Sequence, residues 1–309
     1  MTKSNVWIIL CAVLLLTACQ TNGDSAMETP NKTNLIYPLP LVIAHRGARS
    51  LAPENTLLAA QKAFALGADM WELDVAMTND GVLVVIHDDT LTRTSDAESV
   101  FPTRKPWNVS SFSLAELRQL DFGTWFIEDD PFGTIKSGEV PTGDLEQMKH
   151  IQIPTLEEAL TYTKDHLWRV NIELKDLTGT PGDSVVVEKV IALVEKLDLT
   201  ERVIISSFNH AYLEQVKSIN PTIVTATLVN QSVKDPIALV KNLNSQAFNP
   251  GIKTLSDLTS IQQLRDAGLD VYVWTVNDEP TMRKLIEAGV SGIFTDYPQL
   301  LLKVVKEYQ

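Results

Sequence analysis

Acidic side chains occupy alternate positions in two otherwise apolar segments of this 309-residue chain. Glu72 and Asp74 stand in the segment WELDV, and Glu173 and Lys175 stand in the segment NIELK. Side chains alternate between the two faces of a β-strand, so the charged members of each segment point the same way. A buried charge is unfavourable unless it is paired or bound to a metal. Three converging carboxylates could bind a hard divalent cation, whereas an ion pair with Arg or Lys is the alternative for each one taken alone.

Two histidines end other apolar segments. His45 ends LVIAH, and His87 ends VLVVIH. Imidazole is the side chain that exchanges protons near neutral pH, so this pair is predicted to perform acid-base chemistry. Metal ligation is the alternative, although a carboxylate-rich site needs no imidazole. Arg46 and Lys175 add positive charge at the same strand ends, which suits a phosphodiester that gains negative charge as it reacts.

The elements that must position these residues form a repeating pattern. From residue 41 onward, short apolar runs alternate with amphipathic segments, as is typical of β–α units around a parallel sheet. The predicted strands are 41–46, 70–76, 82–87, 168–175, 202–207, 223–229, 246–249, 271–276 and 292–295. The predicted helices include 55–66, 114–120, 156–164, 183–197, 255–267 and 280–288. The pattern predicts a TIM-type (β/α)8 barrel, and no G-x-G-x-x-G follows the first strand to favour a dinucleotide fold.

Two features depart from eight regular units. The predicted strands exceed eight by one, and the turn Thr78-Asn79-Asp80-Gly81 between two of them is typical of a hairpin. A segment at about 89–153 is rich in aromatic residues, glycine and proline. A stretch of this length between consecutive barrel elements predicts an insertion subdomain, and its origin after His87 predicts that it caps the C-terminal face of the barrel.

Taken together, several short motifs resemble the glycerophosphodiester phosphodiesterase family, which is related to the phosphatidylinositol-specific phospholipases C. The motifs run from residue 41 to the C-terminus in one order. They are His45-Arg46-Gly47, Pro53-Glu54-Asn55-Thr56, Glu72-x-Asp74, His87-Asp88, Pro154-Thr155-Leu156-Glu157-Glu158, Glu173-x-Lys175, Ser207-Phe208, Trp274-Thr275-Val276-Asn277 and Thr295-Asp296-Tyr297-Pro298. Each motif alone is common by chance, but the ordered set is specific.

The resemblance implies one divalent cation, Ca²⁺ or Mg²⁺, held by Glu72, Asp74 and Glu173. It implies His45 and His87 as the acid-base pair, with Arg46 and Lys175 on the phosphate. The implied reaction is hydrolysis of a glycerophosphodiester to an alcohol and sn-glycerol 3-phosphate. We interpret Phe208 and Trp274 as lining the glycerol or headgroup side, with core packing as the alternative. The alternative functions are a phosphatidylinositol phospholipase C-like or lysophospholipase D-like enzyme, or a non-catalytic phosphodiester-binding lipoprotein.

The N-terminus indicates export. Residues 1–18 carry Lys3 and an apolar run that is too short to cross a bilayer, as in a secretion signal. The residues Leu16-Thr17-Ala18-Cys19 resemble the lipobox of bacterial lipoproteins, which predicts lipidation of Cys19. Residues 19–40 are predicted to be a flexible tether, and residues 41–309 the phosphodiesterase domain. We therefore expect a protein anchored to a membrane through its N-terminal lipid and facing the periplasm or cell exterior, and Gln20 favours the outer membrane if the source is Gram-negative.

Composition excludes one class of partner. The formal net charge is -13, from 26 basic and 39 acidic residues, and no basic stripe stands out. Such a surface repels a phosphate backbone, so no nucleic-acid partner is expected. The sequence does not identify a protein partner, and a small anionic substrate would have to meet a locally positive site.

Overall fold

The computed structural model describes Met1, residues 35–255 and residues 257–309. The predicted signal peptide, apart from Met1, and the predicted lipidation of Cys19 lie outside the described residues. Of the predicted tether, residues 35–40 are described. Within them, Tyr37 donates a hydrogen bond to Asp266 and packs against Gly289. No helix in the described ranges is long and apolar enough to cross a membrane.

Eight parallel strands close into a barrel. The strands are β1 (Leu41–Ala44), β2 (Met70–Met77), β3 (Leu83–Val85), β4 (Val170–Leu174), β5 (Val203–Ser207), β6 (Val224–Val229), β7 (Ala247–Pro250), β8 (Asp270–Val273) and β9 (Gly292–Thr295). Closure comes from β1, which pairs in parallel with both β2 and β9. The hairpin strand β3 pairs antiparallel with β2 and stays outside the ring. The predicted TIM-type barrel is confirmed, and the ninth strand is the outer arm of the predicted hairpin.

Helices lie around the barrel and in the segment that follows β3. They are α1 (Leu57–Leu66), α2 (Ala97–Val100), α3 (Leu114–Leu117), α4 (Thr124–Asp129), α5 (Leu156–Asp165), α6 (Val186–Lys196), α7 (His210–Ile219), α8 (Pro236–Asn242), α9 (Thr259–Asp266), α10 (Glu279–Ala288) and α11 (Pro298–Lys306). The predicted helices are confirmed with shifted ends. Thr56 and Thr155 cap α1 and α5 by accepting backbone N–H groups, which sets where these helices begin. Gly67 and Gly289 end α1 and α10 in the left-handed conformation.

The barrel interior has an apolar part and, at the C-terminal ends of the strands, a polar part. The apolar part is filled by Ile43, Met70, Ile204, Ala226, Ala247, Tyr272 and Phe294. The larger core lies between the outer faces of the strands and the helices. Because these two cores hold the barrel together, the polar side chains at the C-terminal ends of the strands are free to form a site, as in other barrels of this type.

The segment between β3 and α5 carries α2, α3 and α4 and buries its own apolar side chains, among them Phe112, Leu117 and Phe126. It contacts the C-terminal side of the barrel at loops that follow strands. The Thr134 hydroxyl donates to the carbonyl of Ser50, and the guanidinium of Arg49 lies 5.3 Å from the ring centre of Phe132. The segment predicted as an insertion thus packs against the mouth of the barrel.

Candidate active site

Three carboxylates meet on neighbouring strands. Glu72 and Asp74 lie on β2, and Asp74 is the register partner of Glu173 on β4. One carboxylate oxygen from each residue lies within 4.8 Å of the others. Glu72 Oε1 and Asp74 Oδ1 are buried and have no hydrogen-bond partner among the described residues. Unpartnered buried carboxylate oxygens are unfavourable on their own, and they are the donor atoms that a hard divalent cation requires. The arrangement therefore fits a metal ion.

The pKa values of these groups support that interpretation. Burial raises the pKa of Glu72 well above its usual range, and the charges of Asp74 and Glu173 add to the effect. Burial and the charge of Asp74 also raise the pKa of Glu173. Burial acts in the same direction on Asp74, but the positive charges around it, foremost Arg46, outweigh burial and lower its pKa. Two of the three anions are thus unfavourable unless a further positive charge joins them.

Arg46 and Lys175, the predicted phosphate ligands, both lie beside the carboxylates. Arg46 Nη1 donates to Glu54 at 2.7 Å, and its Nε lies 3.3 Å from Asp74 Oδ2. Lys175 Nζ lies 3.0 Å from Glu173 Oε1 and 3.7 Å from Asp74 Oδ1. Burial acts to lower the pKa of Lys175, but these two carboxylates outweigh it and raise the pKa. Both residues are therefore charged and positioned at the cluster.

His45 follows β1 and is held by a carboxylate. Its Nδ1 lies 2.6 Å from Asp296 Oδ1, and Asn277 donates to the other oxygen of Asp296 at 2.7 Å. Burial and the charge of Arg46 lower the pKa of His45, although the bond to Asp296 partly opposes them. The imidazole is then neutral at pH 7, the form that accepts a proton. With Nδ1 engaged by Asp296, Nε2 is the nitrogen that is available for chemistry.

His87 follows β3 and has a partner of the same kind. Its Nδ1 lies 2.7 Å from Asp88 Oδ1, and Arg93 Nε donates to Asp88 Oδ2 at 2.6 Å. The hydrogen bonds from His87 and Arg93 outweigh burial and hold the pKa of Asp88 well below its usual range. Asp88 is therefore an anion, and its contact with Nδ1 leaves Nε2 of His87 as the nitrogen that is available for chemistry.

A cavity of about 280 Å³ opens above the carboxylates. Its lining includes the predicted site residues His45, Arg46, Glu72, His87 and Glu173. The remaining lining residues are Asn171, Ser206, Phe208, Leu228, Asn230, Trp274, Thr275 and Phe294. The rings of Phe208 and Trp274 meet edge to face at 5.6 Å between centroids, and Phe208 is 37% exposed. Both aromatic residues singled out from the sequence thus lie on the cavity wall.

Comparison with known proteins identifies the family. The sequence model of the glycerophosphoryl diester phosphodiesterase family matches residues 45–300. The chain belongs to the glycerophosphoryl diester phosphodiesterase family. The glycerophosphodiester phosphodiesterase of Caldanaerobacter subterraneus subsp. tengcongensis is 36% identical over 269 residues, which cover 86% of this chain and 98% of that protein. That of Bacillus subtilis is 34% identical over 299 residues, which cover 92% and 94%.

Solved structures of similar proteins support the same family. An Oleispira antarctica phosphodiesterase in complex with the product sn-glycerol-3-phosphate is 29% identical and superposes with a TM-score of 0.70, covering 87% of this chain and 97% of that one. A glycerophosphodiester phosphodiesterase from Agrobacterium tumefaciens is 28% identical, with a TM-score of 0.67 over 86% of this chain and 100% of that one. The resemblance inferred from the motifs is confirmed.

In this phosphodiesterase chain, the loop after β1 depends on local backbone geometry. Arg46 and Gly47 both have positive φ, at 57° and 82°. A Cβ on Gly47 would lie 2.6 Å from the backbone of Ala59, so this position requires glycine. The loop then brings the backbone N–H of Arg46 to Glu72 Oε2 at 2.8 Å, while Asn55 donates to Asp74 Oδ2 at 2.8 Å. The His-Arg-Gly and Pro-Glu-Asn-Thr motifs thus also orient the carboxylates.

Several residues of the site were not assigned a role from the sequence. Glu54 and Asp296 occur in the motifs, but they lie outside the apolar runs, beside Pro53 and Tyr297, and carry no periodic signal. Glu54 accepts hydrogen bonds from Arg46, Arg49 and Arg93, and these three cations outweigh its burial and hold its pKa well below the usual range. Burial acts to raise the pKa of Asp296, but the hydrogen bond from His45, the charge of Arg49 and the hydrogen bond from Asn277 together lower it to about 2.

Proposed function

We propose that this protein hydrolyses glycerophosphodiesters to an alcohol and sn-glycerol 3-phosphate with the help of one divalent cation. The observation that carries the proposal is the meeting of three buried carboxylates and two carboxylate-held histidines around one cavity. Family membership supports the reaction class. The relative that was solved with sn-glycerol-3-phosphate supports the same product.

The residues that would hold the cation are Glu72, Asp74 and Glu173. Their donor set is all oxygen, which suits Ca²⁺ or Mg²⁺. When bound, such an ion would supply positive charge to the phosphate oxygens. Arg46 and Lys175 already stand beside these carboxylates, and we assign to them the stabilisation of the remaining negative charge on the phosphate.

The two histidines then divide the proton transfers. His45, neutral and held by Asp296, accepts a proton from the nucleophile as its oxygen bonds to phosphorus. The nucleophile is water, or it is the hydroxyl of the substrate's own glycerol, in which case a cyclic phosphate forms and water then opens it to sn-glycerol 3-phosphate. His87, held by Asp88, donates a proton to the departing alcohol as the bond between phosphorus and that oxygen breaks. The aromatic wall of Phe208 and Trp274 accommodates the glycerol or the headgroup.

A panel of substrates tests this function. We expect release of sn-glycerol 3-phosphate from glycerophosphocholine and glycerophosphoethanolamine, and none from intact phospholipid, because the cavity of about 280 Å³ suits a small headgroup. Glycerophosphoinositol and lysophospholipids complete the panel, and the products are measured by coupled assay and mass spectrometry. The double substitution of His45 and His87 by alanine is the inactive control. Turnover of phosphatidylinositol alone would instead assign a phospholipase C-like enzyme, and choline release from lysolipid alone a lysophospholipase D-like enzyme.

We further propose that the protein is exported and anchored by a lipid at Cys19, after removal of residues 1–18 and with residues 19–40 as a tether. The lipobox-like residues Leu16-Thr17-Ala18-Cys19 support this location. The lipid would keep the enzyme at a membrane that faces the periplasm or the cell exterior, and at the outer membrane in a Gram-negative cell.

Substitution of the anchor residue tests the location. Wild-type protein is expected to partition into the detergent phase, whereas Cys19→Ser is expected to remain in the aqueous phase, because the acylated sulfur is gone. Cys11→Ser, a change within the predicted signal, is the matched control and is expected to behave like wild type. Mass spectrometry of the mature N-terminus gives the second measurement, and an unmodified N-terminus beyond residue 19 would contradict the proposal.

A further inference from the structure

A continuous series of charged contacts joins the two histidines outside the cavity. It consists of His45, Asp296, Arg49, Glu54, Arg93, Asp88 and His87, in that order. Four of these residues, His45, Asp296, Arg49 and Glu54, follow barrel strands or lie in the loop before α1. His87 and Asp88 directly follow β3, and Arg93 lies beyond them in the segment predicted as an insertion at 89–153. No residue of 89–153 lines the described cavity, and Arg93 is the member that this insertion contributes to the series.

Arg93 contacts two carboxylates with different edges of its guanidinium group. Nη1 and Nη2 donate to the two oxygens of Glu54 at 3.0 and 2.7 Å, and Nε donates to Asp88 Oδ2 at 2.6 Å. The ring of Trp125 lies 5.9 Å from the guanidinium carbon. Because the guanidinium is planar and rigid, a fork of this kind fixes the position of one carboxylate relative to the other.

The two carboxylates differ in how firmly they are held. The Glu54 side chain is 3% exposed and is also bonded by Arg46 at 2.7 Å and by Arg49 at 2.5 Å. Asp88 lies in the loop after β3, is partly exposed, and is bonded through its side chain to His87 and Arg93. Arg93 therefore connects a buried carboxylate with three arginine partners to the more exposed carboxylate that holds His87.

We propose that Arg93 is a positioning residue for the acid step: it holds Asp88, and through Asp88 the imidazole of His87, in place against buried Glu54. The inference rests on the proposed role of His87 as the general acid. Arg93 is 40% exposed, and buried Glu54 keeps its bonds to Arg46 and Arg49 without it, so loss of Arg93 leaves no buried charge unpaired. Loss of Arg93 is therefore expected to slow proton donation by His87, because a small displacement of a catalytic group slows a reaction strongly.

The test compares Arg93→Met with Arg104→Met. Arg104 belongs to the same segment, is similarly exposed at 37%, and pairs with Glu116 and Phe112, neither of which lines the cavity. Arg93→Met is expected to lower kcat on glycerophosphocholine by about 10- to 100-fold with little change in KM, by analogy with the loss of residues that orient metal ligands. On the 4-nitrophenyl diester of glycerol 3-phosphate it is expected to change kcat by less than about 3-fold, because nitrophenolate needs no proton to depart. Arg104→Met is expected to leave both rates and the melting temperature within error of wild type.

Two further variants test how Arg93 acts. The first shows whether its geometry or its charge matters, and the second shows whether it acts through His87. Arg93→Lys keeps the charge but loses the fork, so it is expected to share most of the defect. Combined with His87→Ala, Arg93→Met is expected to add no further loss on glycerophosphocholine, because the group it positions is gone. Equal losses on both substrates, an additive double variant, or an unchanged Arg93→Met would each overturn the inference while leaving the acid role of His87 intact. If His87→Ala itself shows no dependence on the leaving group, the proposed function of His87 fails and the role of Arg93 fails with it.

Discussion

His87→Ala is expected to lower kcat/KM on glycerophosphocholine by about 10²- to 10⁴-fold and to have a far smaller effect on the 4-nitrophenyl diester. A choline alcohol has a high pKa and departs slowly as an alkoxide, whereas nitrophenolate is stable without a proton. The geometry supports this role, since Asp88 Oδ1 lies 2.7 Å from Nδ1 of His87 and orients the imidazole, which lines the cavity. Steady-state kinetics on the two substrates at matched pH provide the measurement.

His45→Ala is expected to lose a similar factor on both substrates, because activation of the nucleophile is needed whichever group departs. His150→Ala is the control, since its side chain is 88% exposed and lies beside Asp121 instead of the cavity. If the leaving-group dependence appears in His45→Ala and not in His87→Ala, the two roles are exchanged. If both variants lose equally on both substrates, the histidines position substrate or metal, and the acid-base assignment is wrong.

Chelation is expected to abolish turnover, and added Ca²⁺ or Mg²⁺ to restore it. Glu72→Gln, Asp74→Asn and Glu173→Gln are each expected to weaken metal binding and to lower kcat by more than about 10²-fold, since loss of a residue that merely orients a ligand already lowers activity by 10- to 100-fold. Isothermal titration calorimetry with each ion measures the affinity and distinguishes Ca²⁺ from Mg²⁺. Glu157→Gln, which alters a surface carboxylate paired with Lys196, is the matched control.

Thermal unfolding in chelator separates a metal site from a structural ion-pair cluster. In the metal-free protein, burial and the neighbouring anions make ionised Glu72 unfavourable, as its raised pKa indicates. Glu72→Gln is therefore expected to unfold at the same or a higher temperature than wild type in chelator, and at a lower temperature than wild type in saturating metal ion. Full activity of wild-type protein in excess chelator, with no metal in the purified protein, would refute the metal-dependent mechanism.

Much of this site can be predicted from local patterns in the sequence. Alternation of apolar and charged residues on β2 and β4 indicated that Glu72, Asp74 and Glu173 share the barrel interior, because strand geometry has a period of two. His45 was recognisable because it ends an apolar run, and active sites of such barrels lie at the C-terminal ends of strands. His87 also ends an apolar run, but it reaches the site because β3 runs back antiparallel along β2. The hairpin turn at 78–81 explained the extra strand in principle, since its residues favour a tight reversal.

Other features depend on contacts between residues far apart in the chain. One of them is the position of β3 outside the ring. It follows from the antiparallel pairing of β3 with β2 and from the closure of the barrel by β1, β2 and β9. Hydrophobic periodicity does not show which strands pair with each other. The carboxylate partners of the two histidines differ in their distance along the sequence. Asp88 is adjacent to His87, whereas Asp296 reaches His45 across 251 positions, and Glu54 joins three arginines that no shared motif links. Hydrogen bonds and ion pairs act over a few ångströms in space, so their partners are set by how the strands and loops assemble, and a one-dimensional pattern cannot contain them.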